Sequence, residues 1–132
     1  MVGPLVVDSS AIVDFLIDPS GPQLAPLLEG ASDLLVPEVC DIEVASAMRR
    51  GVLSGAVQET DAMVLLLDYA SMPIERHRHL TFLGRIFELR ANFSASDAAY
   101  VALAERSGAD LVTTDARLAH AASEHTSVRV LP

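Results

Sequence analysis

The sequence predicts an α/β domain with a mainly parallel sheet, and three observations support this fold class. Short apolar runs rich in β-branched residues alternate with helical segments of roughly ten residues, as in chains built from strand-helix-strand units. Proline and glycine separate these segments. The length of 132 residues, of which 51% are hydrophobic, suits one buried core. We therefore expect a single domain over residues 1–132.

The apolar runs and the cap signals place the elements along the chain. Five strands are predicted at residues 5–7, 33–36, 72–75, 109–113 and 128–130. Seven helices are predicted between these strands, at residues 11–17, 23–29, 38–50, 57–69, 80–89, 98–106 and 116–122. Ser9 and Ser10 offer N-caps for the first helix. Pro37 suits the first turn of the third helix, and Gly51 ends that helix.

The charge balance excludes several classes of protein. Acidic residues outnumber basic ones by 18 to 9, which gives a formal net charge of -9. This argues against a protein that coats nucleic acid by bulk electrostatic attraction. All nine basic residues are arginine, so chemistry that needs a lysine ammonium group is excluded, including that of Schiff-base enzymes and P-loop NTPases.

Cysteine usage and hydropathy predict the compartment. Cys40 is the only cysteine, so no internal disulfide forms, and its acidic neighbour predicts an inert packed thiol. The residues before Asp8 lack the basic region of a signal peptide, and no run of about 18 apolar residues occurs. We expect a cytoplasmic protein with no membrane association.

Two acids directly follow predicted strands. Asp8 ends the first strand, and Asp115 follows the fourth after a single residue. Ligand sites of open parallel sheets lie beyond the carboxyl ends of the strands, so both carboxylates are candidate site residues. For either one alone, a cap for the next helix is an equally good explanation. The pair together favours a site.

Helical phase adds Glu43 as a third candidate. The apolar side of its helix is predicted to consist of Val39, Ile42, Ala45, Ser46 and Met48. Glu43 borders this side, whereas Asp41 lies about 200° from it around the helix and is expected to face water. An inward glutamate needs a partner, a proton or a metal ion. The structural alternative is a partly buried Glu43 bridged to an arginine.

Asp97 is the fourth candidate. Tyr100, Val101 and Ala104 follow it at helical spacing, which places its carboxylate on an apolar stripe. The alternative is a capping box that begins at Ser94. Taken together, four converging carboxylates would repel one another strongly. Mg²⁺ or Mn²⁺ would relieve this repulsion, since both ions prefer carboxylate oxygen and water.

These residues carry a resemblance to a known family. The matching segments are Val6–Ala11, the helix with Glu43, Ser96–Ala104 and Val112–Asp115. In their order and spacing they resemble a PIN-domain ribonuclease, and the chain length is similar to that of the VapC toxins of bacterial type II toxin-antitoxin pairs. The resemblance implies a three-layer α/β/α sandwich with a five-stranded sheet. It also implies that Asp8, Glu43, Asp97 and Asp115 are the catalytic and metal-binding acids, with the hydroxyl groups of Ser9 and Thr113 supporting them.

The implied activity is metal-dependent hydrolysis of RNA. Mg²⁺, or Mn²⁺ in its place, would be the cofactor, and the products would carry a 5′-phosphate and a 3′-hydroxyl. The implied partners are RNA and a VapB-like antitoxin, in a homodimer or a toxin-antitoxin hetero-oligomer. Arg85 and Arg117 are our candidates for RNA contact, because arginine binds phosphate in a bidentate manner. The alternative function is a catalytically silent PIN-like or receiver-like module that binds a partner.

Overall fold

A five-stranded parallel sheet forms the centre of residues 2–132, the part of the chain that this computed structural model describes. Met1, where the expected domain begins, lies outside the described residues. The strands are β1 (Leu5–Val7), β2 (Leu34–Pro37), β3 (Ile74–His77), β4 (Asp110–Val112) and β5 (Val130–Leu131). Their order is β3-β2-β1-β4-β5, and every neighbouring pair is parallel. The predicted α/β class and parallel sheet are confirmed.

Seven α-helices connect or flank the strands. They are α1 (Ser9–Ile17), α2 (Leu24–Gly30), α3 (Val39–Leu53), α4 (Glu59–Ser71), α5 (Leu83–Glu88), α6 (Ala95–Ser107) and α7 (Ala116–His125). The helix predicted over residues 80–89 is shorter, since 3₁₀ turns at Leu80–Phe82 and Leu89–Ala91 flank α5. No helix within residues 2–132 combines the length and the apolar character needed to cross a bilayer.

The sheet order reverses between β1 and β4. The chain moves outward from β1 to β3, then returns to β4 and continues to β5. Because parallel crossovers are right-handed, α1 to α4 lie on one face of the sheet, and α5 to α7 lie on the other. Consistent with this, α3 packs against α1 and α4, whereas α5 packs against α6. The reversal opens a crevice beyond the carboxyl ends of β1 and β4.

The core fixes the strands that border this crevice. Leu5, Val6 and Val7 of β1 are fully buried, as expected for a central parallel strand. Helix α6 is buried over the seven residues 98–104, and it contacts β1, β2 and β4. A helix that is apolar on all sides belongs in a core, so the first turn of α6 is held rigidly beside the end of β1.

The predicted apolar side of α3 is wrong in part. Ile42 is 68% exposed and Ala45 is exposed, whereas Cys40, Val44 and Met48 form the buried stripe at a spacing of four. The thiol of Cys40 packs as a small apolar group, so the buried stripe runs through Cys40 and Val44 and shares only Met48 with the predicted side. Glu43 still borders the buried side and is half-buried.

Three further local predictions are corrected near the edge strand β3. Pro37 is the last residue of β2, not part of the next helix, and the N–H of the following residue donates to the His77 carbonyl at 3.0 Å. Strand β3 also extends through Arg76 and His77, which were predicted to follow it. Asp41 does not simply face water, because it accepts hydrogen bonds from the Tyr69 hydroxyl at 2.5 Å and from Arg76 Nε at 2.9 Å.

Candidate active site

An open cavity of about 550 Å³ lies in the crevice between β1 and β4. Its lining includes all four acids that the sequence singled out, from four different elements or turns. The residues around it are Asp8, Ser9, Ser10, Val13, Asp14, Glu43, Ser46, Ala47, Arg50, Asp97, Asp115 and Arg117. The structure therefore brings Asp8, Glu43, Asp97 and Asp115 to one place.

Asp8 lies at the base of the cavity and is 5% exposed. It occupies the N-cap position of α1, but its carboxylate makes no capping hydrogen bond. Oδ2 instead accepts hydrogen bonds from the Ser10 hydroxyl at 2.6 Å and the Thr113 hydroxyl at 2.9 Å. Burial raises the pKa of Asp8, and the charge of Asp97 raises it further. The Asp8 carboxylate is therefore held mainly by hydroxyl groups, although the residue stands at the N-cap position of α1.

Glu43 reaches the cavity from α3. Its Oε1 accepts a hydrogen bond of 2.6 Å from the hydroxyl of Tyr100, a fully buried residue of α6. Burial raises the pKa of Glu43, and the charges of Asp8 and Asp97 act in the same direction. The Tyr100 hydrogen bond opposes this change, because it stabilises the charged form. Within residues 2–132 no arginine pairs with Glu43, so the arginine bridge considered above is not found.

Asp97 and Asp115 share one guanidinium group. Arg117 Nη2 lies 2.9 Å from Asp97 Oδ2 and 3.6 Å from Asp115 Oδ2. The hydrogen bond to Asp97, together with both negative charges, raises the pKa of Arg117. Asp115 also caps α7, since it accepts from the backbone N–H groups of Arg117 and Leu118. The cap of α6 is the Ser94 hydroxyl, which leaves the Asp97 carboxylate directed to the cavity.

The donor set of the cavity fits a hard divalent cation. Its charged acceptors are all carboxylates. Burial is the main cause that raises the pKa values of Asp8 and Glu43, and the charges of neighbouring carboxylates raise them further. Within residues 2–132, no three acidic, imidazole or thiol groups already lie close enough to hold one ion together. Mg²⁺ typically retains several waters and is held by one or two carboxylates.

The supporting residues predicted from the sequence are found in two different roles. Thr113 bonds Asp8 directly, and its Oγ1 accepts from the N–H of Asp115 at 3.0 Å. Ser9 lies close enough to Glu43 to lower its pKa. Arg117 lines the cavity, whereas Arg85 does not, because it forms a bidentate pair with Glu105 at 2.8 and 2.9 Å.

The sequence does not single out Tyr100, which contacts Glu43 from behind the cavity, or Asp14 and Arg50, which line it. In the sequence, Tyr100 marks only the apolar stripe that follows Asp97. It nevertheless lies three residues after Asp97 on the same helix face, and its hydroxyl contacts Glu43. Asp14 follows Ser10 by four residues, and this spacing was a usable signal. Arg50 is one of nine arginines in the sequence, and its local sequence gives no reason to prefer it for RNA contact.

Comparison with known proteins agrees with this geometry. A sequence model of the PIN domain matches residues 5–124, which include all four acids. The chain belongs to the PIN domain family. Among curated relatives of this PIN domain, the ribonuclease VapC12 of Mycobacterium tuberculosis is 31% identical over 128 residues, which cover 96% of this chain and 98% of that protein. This match places the PIN domain among the VapC ribonucleases.

Solved structures share the fold of this PIN domain. The crystal structure of PAE2754 from Pyrobaculum aerophilum matches with a TM-score of 0.72 at 22% identity, and the match covers 96% of this chain and 82% of that one. VapBC2 from Rickettsia felis, solved bound to a DNA fragment from its promoter, matches with a TM-score of 0.67 at 13% identity. That match covers 96% of each chain. The three-layer PIN-like architecture is thereby confirmed.

Proposed function

We propose that this PIN domain is a metal-dependent endoribonuclease that hydrolyses RNA phosphodiester bonds as the toxin of a type II toxin-antitoxin pair. One observation carries the proposal. Asp8 and Glu43 face the same cavity, yet each is bonded only by hydroxyl groups and has no cationic partner within residues 2–132. A buried carboxylate without a cation is costly, so the cavity favours a cation from solution.

Mg²⁺ is the ion we propose, with Mn²⁺ as a substitute. Asp8 and Asp97 are the residues that would hold it, since they are close enough for the charge of Asp97 to raise the pKa of Asp8. Bound there, a divalent ion supplies Lewis acidity and neutralises the charge that develops on the phosphate. The hydroxyl groups of Ser10 and Thr113 hold Asp8 Oδ2, which leaves Oδ1 as its free oxygen.

Glu43 and Asp115 orient the reacting groups. Tyr100 occupies Oε1 of Glu43, so Oε2 is free to accept a hydrogen bond from the attacking water. Asp115 is fixed by its backbone contacts to α7 and holds Arg117 at the mouth of the cavity. Attack of water in line with the leaving oxygen gives a 5′-phosphate and a 3′-hydroxyl, with no covalent intermediate on the protein.

A VapB-like antitoxin is the proposed protein partner. Relatives of this chain are named VapC, and a structural neighbour is a VapBC assembly with promoter DNA. The acidic net charge of -9 suits a partner that carries arginine or lysine. We propose that the protein acts in the cytoplasm, as a homodimer or in a hetero-oligomer with the antitoxin.

Cleavage of total bacterial RNA by antitoxin-free protein tests the proposal. The wild type should cut RNA in Mg²⁺ or Mn²⁺ and lose this activity in EDTA, whereas Asp8→Ala should be inactive under both conditions. Asp68→Asn removes an exposed carboxylate of α4 and should retain full activity. Metal-independent cutting by both wild type and Asp8→Ala would reject the metal site. No cleavage by any protein would favour the silent partner-binding module.

A further inference from the structure

We infer that Arg50 binds an RNA phosphate that flanks the scissile bond, an inference that rests on the proposed ribonuclease function. Arg50 lies in the last turn of α3, and its side chain lines the same cavity as the four acids. No catalytic role is required of it. With Arg50 in this role, the bound RNA runs from the acidic end of the cavity toward the carboxyl end of α3.

Arg50 lies on the same face of α3 as Glu43. Glu43, Ala47 and Arg50 are separated by four and three residues, so they lie along one face of the helix, and all three line the cavity. Seven residues of helix correspond to about 10 Å along the axis. Arg50 is therefore displaced from the proposed water-orienting acid by two helical turns, which places it beside a neighbouring phosphate of the strand.

The two positive charges at the cavity differ in their partners. Arg50 and Arg117 are the two arginines of its lining, but Arg117 is already paired with Asp97 and Asp115. The side chain of Arg50 is exposed and has no hydrogen bond or ion pair within residues 2–132. Its guanidinium group is therefore free to make a bidentate contact with a phosphate.

A purely local role for Arg50 is the competing explanation. A cation in the last turn of a helix interacts favourably with the helix dipole and needs no ligand. Arg49 offers a matched comparison, because it is the preceding residue of α3, is also exposed and lines a different groove, between α3 and α4. A dipole effect or a general effect of net charge acts on both residues alike. A phosphate contact acts on Arg50 alone.

The experiment compares Arg50→Gln with Arg49→Gln in RNA binding. The probe is a fluorescein-labelled single-stranded oligoribonucleotide of mixed sequence, and anisotropy is measured with Ca²⁺, an oxygen-preferring cation, in place of Mg²⁺. Arg50→Gln should raise Kd about tenfold, as expected for loss of one charge-assisted contact. It should also reduce the slope of log K against log salt by about 0.7, the value for one phosphate contact on a single strand. Arg49→Gln should change neither quantity.

Three results would overturn the inference. The first is an equal weakening of RNA binding by both variants. The second is unchanged RNA binding by Arg50→Gln, and the third is a wild type that does not bind the probe. Thermal unfolding of both variants, expected to match the wild type, shows that the fold is intact. Cleavage of the same probe by the wild type in Mg²⁺ is measured in parallel. Absence of cleavage with the predicted difference in binding would reject the nuclease function while supporting the Arg50 contact.

Discussion

Replacing Tyr100 with phenylalanine tests whether the Tyr100 hydroxyl, on the buried helix α6, positions the carboxylate of Glu43. Tyr100 is fully buried, and its hydroxyl donates to Glu43 Oε1 at 2.6 Å. The substitution Tyr100→Phe removes this one oxygen and leaves the ring to fill the same space. Glu43 then keeps only the weaker contribution of Ser9 among its hydrogen-bond partners. Its carboxylate is free to adopt other rotamers.

The size of the effect follows from this contact. A hydrogen bond to a charged group is worth about 1.5 to 3 kcal/mol, and the half-buried position of Glu43 favours the lower limit. About 1.5 kcal/mol lost from the transition state reduces kcat roughly tenfold. The same loss from the folded state lowers Tm by about 5 °C for a chain of this size. The pKa of Glu43 should rise, because the lost bond stabilised its charged form.

Tyr69→Phe is the control, since Tyr69 makes the equivalent contact on another side of α3. Its hydroxyl donates to Asp41 at 2.5 Å, and this pair lies outside the cavity. Both variants should lose stability, measured by thermal unfolding. Only Tyr100→Phe should lower kcat and move the acidic limb of the pH-rate profile to higher pH. Equal kcat values and equal profiles for the two variants would refute a positioning role for Tyr100.

Three further predictions concern the metal site. Without metal at neutral pH, Asp8→Asn should unfold at a higher temperature than the wild type, because burial raises the pKa of Asp8 and makes its charge costly. The folded state of the wild type holds this proton at a pH where the unfolded state has lost it, so the difference should shrink as pH falls toward about 4. Mg²⁺ at a hundred times its Kd should stabilise the wild type by about 2.7 kcal/mol and leave Asp8→Asn unchanged, and equal thermal shifts would refute the site. Arg117→Gln should raise the affinity for Mn²⁺ severalfold, as measured by titration calorimetry, because the guanidinium no longer competes for Asp97 and Asp115. A weaker Mn²⁺ affinity would contradict this competition.

The sequence was sufficient to predict the sheet and the location of the acids. Both depend on patterns within short stretches of sequence, which can be recognised without knowledge of tertiary contacts. Alternating apolar runs identify buried strands, and the turn after a parallel strand points to the ligand edge. Asp8 and Asp115 follow from this rule alone, and helical phase adds Glu43 and Asp97. Their catalytic and metal-binding roles remain predictions.

The sequence was insufficient wherever a contact joins distant segments. Tyr100 and Glu43 are 57 residues apart, and Arg117 reaches Asp97 across 20 residues and two different helices. No periodicity encodes such pairs, because they depend on how α3, α6 and α7 meet around the sheet. The exposed Ile42 has a related cause, since the choice between two neighbouring stripes of α3 is made by packing and not by hydropathy.

The acidic net charge and a nuclease function are compatible because the charge is not spread evenly. Five carboxylates and two arginines line one cavity, which leaves three formal negative charges where RNA must bind. Arg117 is directed inward to Asp97 and Asp115, whereas Arg50, two helical turns from Glu43, has no side-chain partner within residues 2–132. A cation bound among these acids, as proposed above, would lower the repulsion that an RNA phosphate meets at the cavity. Net charge argues against a protein that coats RNA by bulk electrostatic attraction, but it is compatible with a nuclease whose RNA binding and metal binding are coupled.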